Sequence, residues 1–214
     1  AFMLPDMAAL GDSVALMAGV NSRRSDLASA VARSTADLLE VVDVVSPVLG
    51  EERSGSDEIG NPEGLTAKLD AVAALISAGV ATRVFTVQLG GFDTHAGQAP
   101  THAALLAELD RAVDNLLRRT VGHPVTVAVW SEFGRRVTSN ASGGTDHGKA
   151  SVMLLAGRVA GGHHGDPPGL DRLDDGDLAT TVDFRSVLGG LAQGVLGIDA
   201  GRYVGTDHPV MAVV

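Results

Sequence analysis

Two short polar segments carry the residue types that could do chemistry in this sequence. The first, GGFDTH, contains Asp93 and His95, and the second, GTDHG, contains Asp146 and His147. Aspartate and neutral histidine are an ordinary oxygen and nitrogen ligand set for divalent zinc or manganese. The spacing therefore predicts a metal site if the fold brings the two segments together. The plainer alternative is that these are solvated loop residues, with the two aspartates serving turns and caps.

A third polar segment, SEFGRR, lies between the other two and adds Glu132, Arg135 and Arg136. Guanidinium groups bind planar or tetrahedral anions through paired hydrogen bonds. In a cleft that holds a metal ion, the two arginines could bind such an anion beside the ion. We therefore predict catalytic roles for all three residues, with Glu132 as a metal ligand or as a neighbour of the ligands.

The elements that must position these segments alternate between strand and helix. Residues 82–89 are rich in β-branched side chains and predict a strand, residues 101–118 carry a helical apolar stripe, and residues 124–130 predict the next strand. Such a β-α-β unit is parallel, and the carboxyl ends of its strands open on one edge of the sheet. GGFDTH and SEFGRR are thus expected on the same edge. GTDHG is expected to fold back to that edge before a third strand at residues 151–156.

We predict a single α/β domain over residues 1–214, with a mostly parallel sheet flanked by helices. It comprises a helical lead-in and polar loop over residues 1–64, a core over residues 65–200 and a tail over residues 201–214. Apolar spacing and end signals predict helices at residues 25–46, 65–78 and 183–196, the last capped by Asp183.

Composition restricts the partners that this chain can have. The 214 residues carry a net charge of −10 without a run of lysine or arginine, which disfavours nucleic acid as a partner. No apolar run approaches the roughly 20 residues that a membrane span needs. The chain has no cysteine, so any metal must be held by histidine and carboxylates.

The order of the motifs resembles the DUF1501 family of bacterial proteins over roughly residues 65–200. The resemblance is carried by GGFDTHAGQ, HAALLAELD, VWSEFGRRVTSN, GTDHGKA and VDFRSVLGGL. It implies the alkaline phosphatase and sulfatase superfamily, whose members have an α/β core and hydrolyse phosphate or sulfate esters at metal ions. Many family members are exported with a twin-arginine signal, so a periplasmic or secreted location is expected.

The resemblance places Asp93 and His95 where the superfamily holds its first metal, and it allows two alignments of the remaining ligands. In the first alignment, GTDHG matches the Asp-His-Gly motif of the superfamily. Asp146 and His147 are then ligands of a second metal.

The second alignment follows strand position, and we prefer it. Glu132 then stands where the superfamily has an aspartate ligand, and Phe133 replaces a histidine ligand. His147 resembles the later histidine that completes the first metal site. His208, in the tail, is an alternative third ligand.

These observations predict a metal-dependent hydrolase of phosphate or sulfate esters that uses zinc or manganese, with calcium as a third candidate. Nothing in residues 1–64 resembles the N-terminal strand that carries the nucleophile in the superfamily. We therefore expect this chain to be the C-terminal portion of a longer protein, with an incomplete superfamily core. The alternative function is a non-catalytic exported binding or assembly module with a degraded metal site, and the plainest is a structural fragment.

Overall fold

The structure is a computed structural model that describes residues 62–205 and 207–214. Most of the lead-in and polar loop predicted for residues 1–64 lies outside the described residues, so the single-domain prediction stays a prediction. Residues 74–81 belong to a separate compact unit. Among the described residues, 62–73 and Thr82–Val214 form the unit that carries the site.

The described chain mixes helices and short strands, as the predicted α/β class requires. In chain order they are α1 (Pro62–Ser77), α2 (Gln98–Arg119), β1 (Thr126–Val129), β2 (Gly134–Ser139), β3 (Thr145–Gly148), β4 (Leu154–Gly157), β5 (Leu173–Asp174), β6 (Asp177–Leu178), α3 (Phe184–Gly194) and α4 (Gly201–Val204). The helices predicted at residues 65–78, 101–118 and 183–196 are confirmed within a few residues. None of the helices in the described part of the chain has the length and apolar character of a bilayer-spanning helix.

Helices α1 and α2 pack together through apolar residues at helical spacing. The buried members of this core are Leu65, Leu69 and Ala73 from α1, with Ala112 and Leu116 from α2. Full burial of each leucine contributes about 1.5–3 kcal/mol. Leu89 and Val127 pack against the same cluster, so the segments before and after α2 both lie on this core.

The strand pairing differs from the predicted parallel sheet. Residues 82–89 form no strand ladder, and β1 pairs antiparallel with β4, with Thr126 opposite Gly157. All three strand pairs among the described residues are antiparallel. The β-branched composition of residues 82–89 predicts a strand preference but not a pairing partner, because that preference depends on tertiary context. The chain between β1 and β4 forms the β2–β3 hairpin, which returns it in the opposite direction.

The segment between β4 and α3 contains the β5–β6 hairpin. Its turn residues Asp175 and Gly176 have φ values of 55° and 82°, the positive values that a type I′ hairpin turn requires. Asp177 of β6 is buried, and its Oδ1 lies 3.4 Å from Arg136 Nε of β2. The Nζ of Lys149 donates to Asp174 Oδ2 at 2.9 Å. These two ion pairs fasten the hairpin beside β2 and β3.

Candidate metal site

The loop before α2 and the β2–β3 hairpin are joined backbone to backbone. Gly97 N donates to Ser142 O at 3.1 Å, and Gln98 N donates to Gly143 O at 3.0 Å. A Cβ on Gly144 would lie 2.5 Å from the carbonyl carbon of His95, so only glycine allows this approach. The predicted convergence of GGFDTH and GTDHG is therefore confirmed.

Two histidine nitrogens meet on one oxygen of Asp93, which gives three potential ligand atoms. His147 Nε2 lies 2.8 Å from Asp93 Oδ1, and His95 Nε2 lies 3.0 Å from the same atom. The ligand atoms of the three residues all lie within 4.8 Å of one another. The hydrogen bond from His147 does most to lower the pKa of Asp93, which outweighs the effect of burial, and the bond from His95 adds to it. The lowered pKa favours the ionised carboxylate of Asp93, which is the form that binds a metal ion.

Asp146 faces the other nitrogen of the His95 ring. Its Oδ1 lies 3.3 Å from His95 Nδ1 and 3.5 Å from Asn140 Nδ2. The hydrogen bonds from His95 and then from Asn140 lower the pKa of Asp146. A carboxylate on the far nitrogen of a ligand histidine fixes its tautomer and ring orientation. Asp146 therefore lies behind His95, a candidate ligand, and is not a member of the group of three.

The donor set fits a divalent transition ion. One carboxylate and two imidazoles are the ligands of many catalytic zinc sites and of two-histidine, one-carboxylate sites. The side chains are 65%, 49% and 46% exposed for Asp93, His95 and His147, so solvent and small molecules reach the ligand atoms. Calcium prefers six to eight oxygen ligands, and the single carboxylate of this group offers two at most.

Glu132 and Phe133, which follow β1, have different surroundings. Glu132 is exposed and is not part of the group of three. Phe133 stacks on His147, with ring centroids 4.0 Å apart and planes inclined by 6°. His147 shares Asp93 with His95, which is the ligand set of the preferred alignment. Glu132 as a ligand stays a prediction.

Arg135 binds the backbone of both ligand-bearing segments. Its Nη2 donates to Phe92 O at 2.5 Å and lies 3.4 Å from Thr94 Oγ1, and its Nη1 donates to Thr145 O. A guanidinium held in this way has few donors left for an anion. The substrate-binding role stays a prediction, and the contacts indicate a structural one.

Arg136 points to the other side of β2, towards the β5–β6 hairpin. Its guanidinium is about half exposed and pairs with the buried Asp177. Its positive charge also contributes to the lowered pKa of Asp146. Arg136 is therefore the predicted arginine that combines exposure with an electrostatic effect on the site.

His208 lies elsewhere. Its Nδ1 is 3.6 Å from Asp183 Oδ2 at the start of α3, so the alternative of His208 as the third ligand is wrong. Asp183 caps α3 as predicted, since its Oδ1 accepts from Arg185 N at 2.9 Å.

Sequence reasoning missed Asn140. Its Nδ2 donates to His95 O at 2.9 Å, and its Oδ1 accepts from Ser142 N and Gly144 N, both at 3.0 Å. Asparagine bonded to backbone two residues on is an Asx turn. The segment NASGG carried that signal. Asn140 both closes the β2–β3 turn and holds the His95 backbone.

Comparison with known proteins gives the family. The model of DUF1501, a protein family of unknown function, matches residues 23–183. Because this match covers more than half of the chain, the chain belongs to the DUF1501 family. No curated protein and no solved structure matches the chain.

Proposed function

We propose that this DUF1501 protein binds a divalent metal ion through Asp93, His95 and His147 and hydrolyses phosphate or sulfate esters. The observation that supports the proposal most is the meeting of both histidine Nε2 atoms on Asp93 Oδ1. Two of these residues are 54 positions apart in the chain, so the meeting is not a local consequence of sequence.

The side chains around the ligands have separate tasks in this proposal. A bound zinc or manganese ion supplies Lewis acidity, which polarises an ester oxygen and makes water a better nucleophile. Asp146 orients His95, and Arg136 provides positive charge for the anionic part of the ester. The open position of the ligands suits a small substrate. Glu132 is exposed after β1 and is proposed as a neighbour that accepts a proton from water.

The finer expectations belong to the same proposal. They are the alkaline phosphatase and sulfatase type of core, the choice of zinc or manganese, and a periplasmic or secreted location. They rest on the resemblance of the motif order, and a structure of the metal-loaded protein together with cell fractionation would test them.

Metal content tests the proposal first. Elemental analysis of the purified chain after dialysis against zinc should give about one equivalent, the stoichiometry of a single site with protein ligands. His147→Ala should lose this metal, whereas His123→Ala should retain it, because His123 is exposed before β1 and outside the ligand group. Equal metal content in the His147→Ala variant would contradict the proposed site.

Turnover tests the reaction separately from binding. Aryl phosphate and aryl sulfate should be hydrolysed by the zinc-loaded protein, and the rate should fall on chelation and return with zinc. The His147→Ala variant should be inactive under the same conditions. Bound metal with no turnover of either ester would refute the hydrolase proposal while leaving the metal site intact.

The second candidate function is a non-catalytic binding module. The specific observation in its favour is Phe133, which stacks on His147 in the place where the superfamily alignment expects a histidine ligand. Metal binding without turnover is the outcome that favours this candidate.

A further inference from the structure

The imidazole of His147 contacts two other rings. The Phe133 ring lies parallel to it at 4.0 Å, and the His95 ring lies at 5.1 Å with a tilt of 32°. His147 is otherwise an exposed residue of a short strand, with 46% of its side chain open to solvent. Offset or parallel stacking restricts rotation of a side chain that solvent alone would leave free.

The strand register brings these residues together. Arg135 of β2 is directly opposite His147 of β3. Phe133 precedes Arg135 by two positions, and side chains two apart on an extended chain project to the same face. The sequence Phe-x-Arg, placed opposite a histidine, therefore forms a continuous stack of guanidinium, phenyl ring and imidazole.

Arg135 contacts the Phe133 ring of this stack. Its guanidinium carbon lies 5.2 Å from the centre of the Phe133 ring, within the range of a cation–π contact. The same guanidinium donates to Phe92 O, next to Asp93, and to Thr145 O, in the strand of His147. One side chain thus fixes both the phenyl ring and the two segments that supply ligands.

We propose that Phe133 and Arg135 are positioning residues, which hold the imidazole of His147 with its Nε2 directed at Asp93. This inference rests on the proposed metal site and changes the meaning of Phe133. In this proposal the Phe133 ring supports the candidate ligand His147. The alignment alone suggests only that Phe133 replaces a histidine ligand. Arg135 correspondingly acts through Phe133 and the backbone, without touching the substrate.

The expected effect is on metal affinity. An aromatic stacking contact is worth up to about tenfold in an equilibrium, so its removal should weaken metal binding about three- to tenfold. Phe133→Leu removes the flat ring and keeps apolar volume, whereas Phe133→Tyr keeps the stack. Zinc affinity of the full chain, measured by competition with a chromogenic chelator, should fall with leucine and stay within about twofold of the original with tyrosine.

A matched control exists on α3. Phe184 also lies below an arginine, with the Arg185 guanidinium carbon 5.8 Å from its ring centre. The described contacts of Phe184 include no ring contact with a histidine. Phe184→Leu should therefore leave zinc affinity unchanged.

Nuclear magnetic resonance of the imidazoles reports the position of His147 without metal. In the Phe133→Leu variant the ring-proton signals of His147 should move, because the ring current of the phenyl group is lost, and their line shapes should show a more mobile ring. The His123 signals should stay unchanged. Arg135→Lys, which keeps the charge but loses the planar fork, should weaken zinc binding in the same direction.

The measurements distinguish failure of the metal site from failure of the positioning role of Phe133 and Arg135. A wild-type chain that binds no zinc would overturn the metal site itself. Zinc binding by the wild type, with equal affinity in Phe133→Leu and Phe133→Tyr and unchanged His147 signals, would overturn the positioning role alone. If Phe133→Leu fails to fold in a thermal melt, the Arg135→Lys affinity decides, and wild-type affinity in that variant would also refute the inference.

Discussion

Replacing Asp146 with asparagine distinguishes a support residue from a metal ligand. In the structure Asp146 Oδ1 accepts from His95 Nδ1 at 3.3 Å, on the opposite side of the ring from the converging ligand atoms. Asparagine keeps the shape and one acceptor oxygen but removes the negative charge that favours the required tautomer of His95. We expect weaker zinc binding in Asp146→Asn, without loss of the site.

The size of this effect follows from the length and exposure of the contact. Loss of a carboxylate behind a ligand histidine usually weakens metal binding about 10- to 100-fold. The contact here is long, at 3.3 Å, and the Asp146 side chain is 64% exposed, so water competes for His95 and screens the charge. The expected loss is therefore at the lower end, about tenfold.

Chelator competition on the full chain measures this affinity. Asp110→Asn is the matched control, since Asp110 is an exposed aspartate of α2 outside the ligand group. If Asp146→Asn loses zinc as completely as His147→Ala, Asp146 is a ligand and the assignment is refuted. If Asp146→Asn binds zinc as the wild type does, the contact with His95 has no supporting role.

Three further predictions concern the fold. Glu108→Gln should lower the free energy of unfolding in urea by about 1.5–3 kcal/mol, because this buried carboxylate accepts hydrogen bonds from side chains of both α1 and α2; an unchanged denaturation midpoint would contradict it. Gly190→Ala should lower the melting temperature, because a Cβ there would lie 1.9 Å from Met211 O, whereas Gly161→Ala, with open space around it, should not. Hydrogen bonds from Arg185 lower the pKa of Asp183, so its contribution to stability is present above about pH 4 and is lost as the pH falls towards the lower folded pKa. The acid side of a stability–pH curve should thus be flatter in Asp183→Ala, and a curve that parallels the wild type would count against this.

The convergence of the ligands was predictable from the sequence, although the route was not. The sequence predicts that Asp93 and His147 meet at the edge of a parallel sheet. The structure instead reaches the same result with an antiparallel hairpin, β2–β3, and a close backbone contact at Gly144. Polar residues clustered beside glycines predict a site because loops present chemistry on many scaffolds. Strand pairing joins residues that are distant in the chain, so local composition predicts it less well.

The supporting residues were harder to predict because they depend on register. Arg135 and His147 are opposite each other only in the observed pairing of β2 and β3. A slip by one residue would place Phe133 and Arg135 together on the opposite face of the hairpin from His147, and the stack of Phe133 on His147 would be lost. A sequence gives the chemical type of such residues, and arginine and phenylalanine there suggest anion binding and a lost ligand. The observed register indicates instead that Phe133 and Arg135 support the imidazole of His147.

Because Arg135 has a supporting role, we expect Arg136 to be the arginine that binds the anion. Arg135 donates to two backbone carbonyls, whereas Arg136 is exposed and its charge acts on Asp146. Arg136 is itself paired with Asp177, which is buried and has Oδ1 without a hydrogen bond among the described residues. Withdrawing Arg136 completely would leave that buried carboxylate uncompensated, which is costly. An anionic ester is therefore expected to share Arg136 with Asp177, so that the hairpin of β5 and β6 sets how far this guanidinium can extend towards the metal ligands.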